Sequence, residues 1–276
     1  HGHDQFVRFA QNSPLVDGPE VKNIRETARR CGVIVSLGLS ERANNSPGCL
    51  WNSNVLIDDR GTLVNHHRKL VPTFYEKLIW APGDAAGLHV SVTHKARIGS
   101  LICGENGNPL ARYILMAQGE QIHTASYPAV WPFHDPRNSA EYDLPGAIRV
   151  RAAAHAFEAK TFVVVSAAEL DASSIESISQ GDVEMAEMLE ACPRATSMIV
   201  DPAGNQLEWV LDEGLVGADV DLSTLVPLRQ HHDMAGYYNR PELLDVYVNN
   251  QRPASVSWKD SRQESVVSSV GVGLED

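Results

Sequence analysis

Leu101-Ile102-Cys103-Gly104-Glu105-Asn106 is the stretch on which the reading of this chain turns. Before it, Arg97-Ile98-Gly99-Ser100 leads in an apolar run of strand length. After it, Asn108-Pro109 opens a segment in which Leu110, Ile114, Leu115 and Gln118 recur at helical spacing. The thiol of Cys103 is therefore predicted to stand at a strand-to-helix elbow. Backbone N–H groups at the start of the following helix can stabilise a thiolate there, and later an oxyanion.

Working outward, helix and strand signals fill most of the chain. Pro19-Glu20 starts a helix whose Val21, Ile24, Ala28 and Cys31 share one face, with Gly32 placed to end it. Residues 33–39 are apolar and β-branched, as in a buried strand. Residues 49–57 read as a second strand, and Asp58-Asp59-Arg60-Gly61 turns the chain into Thr62-Leu63-Val64 as a hairpin. Residues 88–92 and 97–102 are the next strand pair, followed by strands at 121–125 and 161–167 around a long helix at 140–160. Residues 127–137 hold three prolines and are predicted to loop beside the elbow. The serine-rich stretch 170–180 reads as a loop, 185–192 as a short helix, 197–200 and 206–211 as a hairpin, and 215–220 as a strand. Residues 251–276 turn to Gln, Ser, Pro and charge, and are expected to be a tail that stays disordered or contacts another subunit. The mixed order implies layered α/β structure, but spacing alone does not separate one parallel sheet from two packed mixed sheets.

With 276 residues and 43% hydrophobic content, the chain can bury a sizeable core in one domain, taken as residues 1–250. The net charge of −12, without a basic cluster, argues against nucleic acid and anionic membranes as partners. No apolar run approaches the ~20 residues of a spanning helix. Cys31, Cys49, Cys103 and Cys192 are far apart and form no Cys-x-x-Cys pair. Without a signal-peptide pattern, that usage suits a reduced, cytoplasmic setting. His66-His67 and His231-His232 are adjacent pairs whose side chains diverge, so no metal is expected. No glycine-rich nucleotide loop appears, so no cofactor is expected either.

A second polar cluster, Arg68-Lys69-Leu70-Val71-Pro72-Thr73-Phe74-Tyr75-Glu76, precedes the elbow. With Gly38-Leu39-Ser40-Glu41-Arg42, Trp80-Ala81-Pro82-Gly83-Asp84, Cys103-Gly104-Glu105-Asn106, Asn108-Pro109-Leu110-Ala111-Arg112 and Gln118-Gly119-Glu120-Gln121-Ile122-His123, it makes the chain resemble the nitrilase family. The ordered likeness continues to Gly236-Tyr237-Tyr238-Asn239-Arg240-Pro241. Cys-Gly-Glu-Asn followed by Asn-Pro-Leu-Ala-Arg is similar to the true nitrilases, as distinct from the amidase and carbamoylase branches.

The resemblance implies an α-β-β-α sandwich, N-terminally incomplete, that associates with further copies of itself, and a Glu-Lys-Cys triad acting on a small-molecule nitrile. On it, Cys103 is the nucleophile, Lys69 stabilises the tetrahedral intermediates, and Glu76 helps to place lysine and substrate. The family's triad glutamate lies in an early Phe-Pro-Glu segment that has no match here, so the expectation is a chain lacking N-terminal strands. The backbone N–H of Gly104 is a candidate oxyanion donor, Tyr127, Trp131 and His134 are candidates for the acyl pocket, and Glu105 and Asn106 are expected to hold the elbow. Cyanide hydratase-like or amide-hydrolysing chemistry would use the same residues, and a catalytically silent chain keeping only the fold or an assembly surface stays open at this point.

Overall fold

A computed structural model describes residues 2–132, 135–137, 142–211 and 214–252. Two β-sheets lie face to face. The first consists of β1 (Val35–Arg42), β2 (Leu50–Ile57) and β3 (Leu63–Arg68), paired antiparallel in that order. The second has six strands in chain order: β4 (Ser91–Val92), β5 (Arg97–Ile102), β6 (Ile122–Tyr127), β7 (Phe162–Ala167), β8 (Thr196–Val200) and β9 (Gln206–Leu211). Its three central strands, β5 to β7, run parallel and the flanking pairs antiparallel.

Strand alternation builds the layers. In β2, Val55 and Ile57 pack against Ala28 and Ile24 of α2 (Pro19–Cys31), whereas Leu56 between them meets Ile98 and Ile122 of the other sheet. Asn54 also points inward and accepts a hydrogen bond from Ser100 at 2.9 Å. On the far side, Leu101 packs on Ala111 and Leu115 of α3 (Pro109–Ala117). Ala125, Val163, Val165, Met198 and Val200 pack with Ile148, Ala152 and Ala156 of α4 (Leu144–Ala159). The result is the α-β-β-α sandwich. An N-terminal helix, α1 (Gly2–Asn12), closes one end, with Ser13 donating to Ser40 at 2.9 Å.

Several elements depart from expectation. β1 starts two residues later and runs on to Arg42. β4 is short because Val90 N–H donates to Gln118 Oε1 and Leu88 O accepts from Gln118 Nε2, so a side chain replaces ladder partners at residues 88–90. The serine-rich segment is not a loop but helix α5 (Ala172–Ser179): Asp171 caps it by accepting from Ser174 N–H at 2.7 Å, and Ile175 packs with Leu189 of α6 (Val183–Ala191). Residues 215–220 form no strand; they have no ladder partner among the described residues, and Leu215 is 98% exposed. The chain continues into α7 (Leu225–His231) and an exposed arm to Arg252. The tail foreseen at 251–276 lies outside the described residues from 253 onward.

Candidate active site

β5 ends where the expected elbow begins. Cys103 has φ +52°, a left-handed conformation that costs a side-chain-bearing residue about 1–3 kcal/mol and persists only when neighbours over-determine it. Those neighbours are Glu105 and Asn106 in the 3-10 turn Cys103–Gly107. Asn106 Nδ2 donates to the Cys103 carbonyl at 3.0 Å. Glu105 accepts from Ile102 N–H at 2.9 Å, from Leu70 N–H at 2.5 Å and bonds His67 Nε2 at 2.9 Å. One buried carboxylate thus ties the cysteine elbow to the end of β3. The expectation that Glu105 and Asn106 hold the elbow agrees with these bonds.

That tie brings Lys69 to the site, directly after β3. Its ammonium is 1% exposed and donates to Glu76 Oε2 at 2.5 Å, which also accepts from Thr73 N–H at 2.6 Å. The return loop through Trp80-Ala81-Pro82-Gly83 packs against the same backbone: Gly83 N–H donates to Lys69 O at 2.8 Å, and a Cβ at Gly83 would fall 2.4 Å from Arg68 O. Glycine is required there for close approach.

A cleft of about 400 Å³ opens over the thiol, lined among others by Leu37, Asn52, Glu76, Trp80, Cys103 and Tyr127. Burial pushes the Cys103 thiol above its ordinary range. Lys69 opposes that most, the Glu76 carboxylate adds to it, and Gly104 N–H and Arg151 pull down further. Gly104, the candidate oxyanion donor, follows the cysteine directly in that turn. Tyr127, at the end of β6, is buried with its hydroxyl unpaired among the described residues, and burial raises its pKa. Trp131 is partly buried and, like Cys103, packs against the apolar cluster of α4 and β6 to β8 that includes Tyr127. His134 lies outside the described residues.

The match of the carbon–nitrogen hydrolase family model to residues 2–230 decides the affiliation. The chain belongs to the carbon–nitrogen hydrolase family. It is 38% identical to a nitrilase of Paraburkholderia phymatum over 252 residues, 90% of this chain and 69% of that one. It is 34% identical to a protein called nitrilase 3 from an unknown prokaryotic organism, over 99% of this chain and 78% of that one. The fold is similar to that of a carbon-nitrogen hydrolase from Helicobacter pylori G27, with TM-score 0.61 and 20% identity over 77% of this chain and 70% of that chain.

Two charged residues of this carbon–nitrogen hydrolase escaped the sequence reading. Arg151, on α4, comes up beside the Cys103–Gly107 turn, its Nε 3.5 Å from where a Cβ at Gly107 would stand, because α4 packs against β6 and β7. Glu41, in the quoted Gly38-Leu39-Ser40-Glu41-Arg42 stretch, accepts from Ser53 at 2.6 Å, bonds His66 Nε2 at 2.7 Å and receives the Arg68 guanidinium. Burial alone would raise its pKa, but His66, Arg68 and Ser53 outweigh that and hold it at about 2. Glu41 braces the strand that presents Lys69; its paired signal was Glu41 opposite a basic run, legible only once β1 and β3 flank β2. Among the described residues, one set of metal-ligating type converges: Glu120, His123 and His155, with ligand atoms within 4.8 Å of one another. No helix among them is long and apolar enough to cross a membrane.

Proposed function

We propose that this chain hydrolyses an organic nitrile to the carboxylic acid and ammonia, with Cys103 as nucleophile and Lys69 as cationic stabiliser. The observation that carries the reading is the Cys103 thiol at a left-handed elbow, under a cleft that Glu76 also lines, with the buried Lys69 bonded to Glu76. A nitrile carbon is a weak electrophile, so the sulfur must be a strong nucleophile and the developing charge must meet a donor. The Cys103 sulfur adds to the nitrile carbon as the nitrogen takes a proton, giving a thioimidate. Water adds, the C–N bond breaks and ammonia leaves a thioester. A second water breaks the C–S bond, releasing the acid and the thiol.

Glu76 holds Lys69 and Thr73 through one oxygen, which suits it to placing the lysine. The resemblance assigns the water-activating base to a carboxylate of a Phe-Pro-Glu segment. We also infer self-association, supported by apolar side chains on the outer face of α4, Val150 and Phe157, that are 61% and 53% exposed.

The test is product analysis of nitrile hydrolysis by the parent and by Cys103→Ala. Loss of acid and ammonia with an unchanged circular dichroism spectrum supports the reading; ammonia release at the parental rate overturns it. Amide or formamide as the sole product would move the assignment to a hydratase.

A further inference from the structure

Beneath the elbow, on the helix side of the second sheet, runs a chain of buried polar side chains that the proposed reaction does not use. Asn106 Nδ2 donates to the carbonyls of Cys103 at 3.0 Å and, more weakly, Leu101 at 3.5 Å, which leaves its Oδ1 as an acceptor. His123 Nε2 lies 2.8 Å from that oxygen and must carry the proton. The other ring nitrogen of His123 faces Glu120 Oε2 at 3.1 Å, and Glu120 Oε1 bonds His155 Nε2. His123, Glu120 and His155 are fully buried, and the Glu120 carbonyl accepts from Arg229. Space for the carboxylate exists only because residue 99 is glycine: a Cβ there would fall 2.1 Å from Glu120 Oε2.

The protons of this chain can be counted from its contacts. His123 Nε2–H is committed to Asn106, and His155 Nε2 is a donor to Glu120, its Nδ1 having no partner among the described residues. One proton then lies between His123 Nδ1 and Glu120 Oε2. Whether it rides on nitrogen or oxygen, the net charge of the pair is zero and His123 Nε2–H still points at Asn106. That matters for the amide. Without a donor beneath it, the Asn106 amide can flip and present its oxygen to the carbonyls of Cys103 and Leu101, which repels them. Burial pushes the His155 pKa down, consistent with a neutral ring donating from Nε2.

We propose that Glu120, His123 and His155 are positioning residues for the nucleophile: they fix the orientation of the Asn106 amide, and through it the left-handed conformation that sets the Cys103 sulfur under the cleft. The proposal rests on Cys103 being the nucleophile, but its test reads the thiol itself and not nitrile turnover.

In the full 276-residue chain, alkylation of Cys103 by iodoacetamide is followed by peptide mass spectrometry across pH, with exposed Cys31 as internal control. Asn106→Asp keeps the size and still accepts from His123, but cannot donate to the carbonyls. In this variant, and in His123→Phe and Glu120→Leu where they fold, the Cys103 profile moves to higher pH by about one unit, a roughly tenfold loss of rate below the midpoint, while Cys31 is unchanged. Glu120→Gln, whose amide supplies one N–H to His123 Nδ1 and one oxygen to His155, keeps the parental profile. A parental profile in Asn106→Asp overturns the proposal. So does a Glu120→Gln chain as impaired as Asn106→Asp, or stoichiometric divalent metal in the parent that disappears in Glu120→Gln.

Discussion

The cysteine elbow and the carboxy-terminal arm, residues 232–252, are held in opposite ways. At the elbow, few residues make many buried polar bonds: Glu105 alone serves two backbone N–H groups and a histidine, and it is 7% exposed. The arm is mostly exposed, and its far end is tied back by one side chain, with Arg252 donating to Asp84 at 3.0 Å and to the His66 carbonyl at 2.9 Å. Buried polar groups have no water to fall back on, so each is obligatory. At the arm, water replaces what a mutation removes.

The largest effect that this contrast foresees is at Glu105. Glu105→Leu strands the N–H groups of Ile102 and Leu70 away from water and should lower stability by about 3–5 kcal/mol, read from urea unfolding. A change under 1 kcal/mol would mean that the elbow is no better held than the arm. Lys69→Ala should come next, lowering kcat by about 10²–10³ with little change in KM, because the charge it meets appears during reaction. A pure KM effect would make Lys69 a substrate-binding group.

The third effect depends on pH. Glu41 has its folded pKa depressed, from 4.5 to about 2, so its stabilisation is present above pH 4.5 and is lost as pH falls through that window. It amounts to about 3 kcal/mol at most. Glu41→Gln should therefore be less stable than the parent near neutral pH, with the gap closing toward pH 2; a constant gap would point to packing alone. The smallest effect belongs to the arm. Arg252→Ala should cost about 1 kcal/mol or less, diminishing further in high salt, because its side chain is 30% exposed. A loss as large as that of Glu105→Leu would erase the contrast.

The serine-rich segment and residues 215–220 mark where pattern reading failed. In α5 the buried face rests on Ile175 and Ser179, and a serine on a buried face leaves no hydrophobic period to count. Residues 215–220 have strand-like composition, but a strand exists only through its partner, and none of the described residues pairs with them. Tyr127 ends a strand and lines the cleft, and Trp131, four residues on, packs with Cys103 against the apolar cluster to which Tyr127 belongs.

Local chemistry was enough to determine the elbow at Cys103, the lysine segment, most strands and the helix ends at Pro19 and Gly32, because each depends on side chains within a few residues of one another. Only the tertiary structure decided how these parts are joined. That Glu105 would bond Leu70 and His67, that Arg151 would lie near the thiol, and that His123, Glu120 and His155 would line up beneath Asn106 are consequences of strand order and helix packing. A hydrogen bond across a sandwich leaves no periodicity in the chain; it exists only when the layers close and water is excluded.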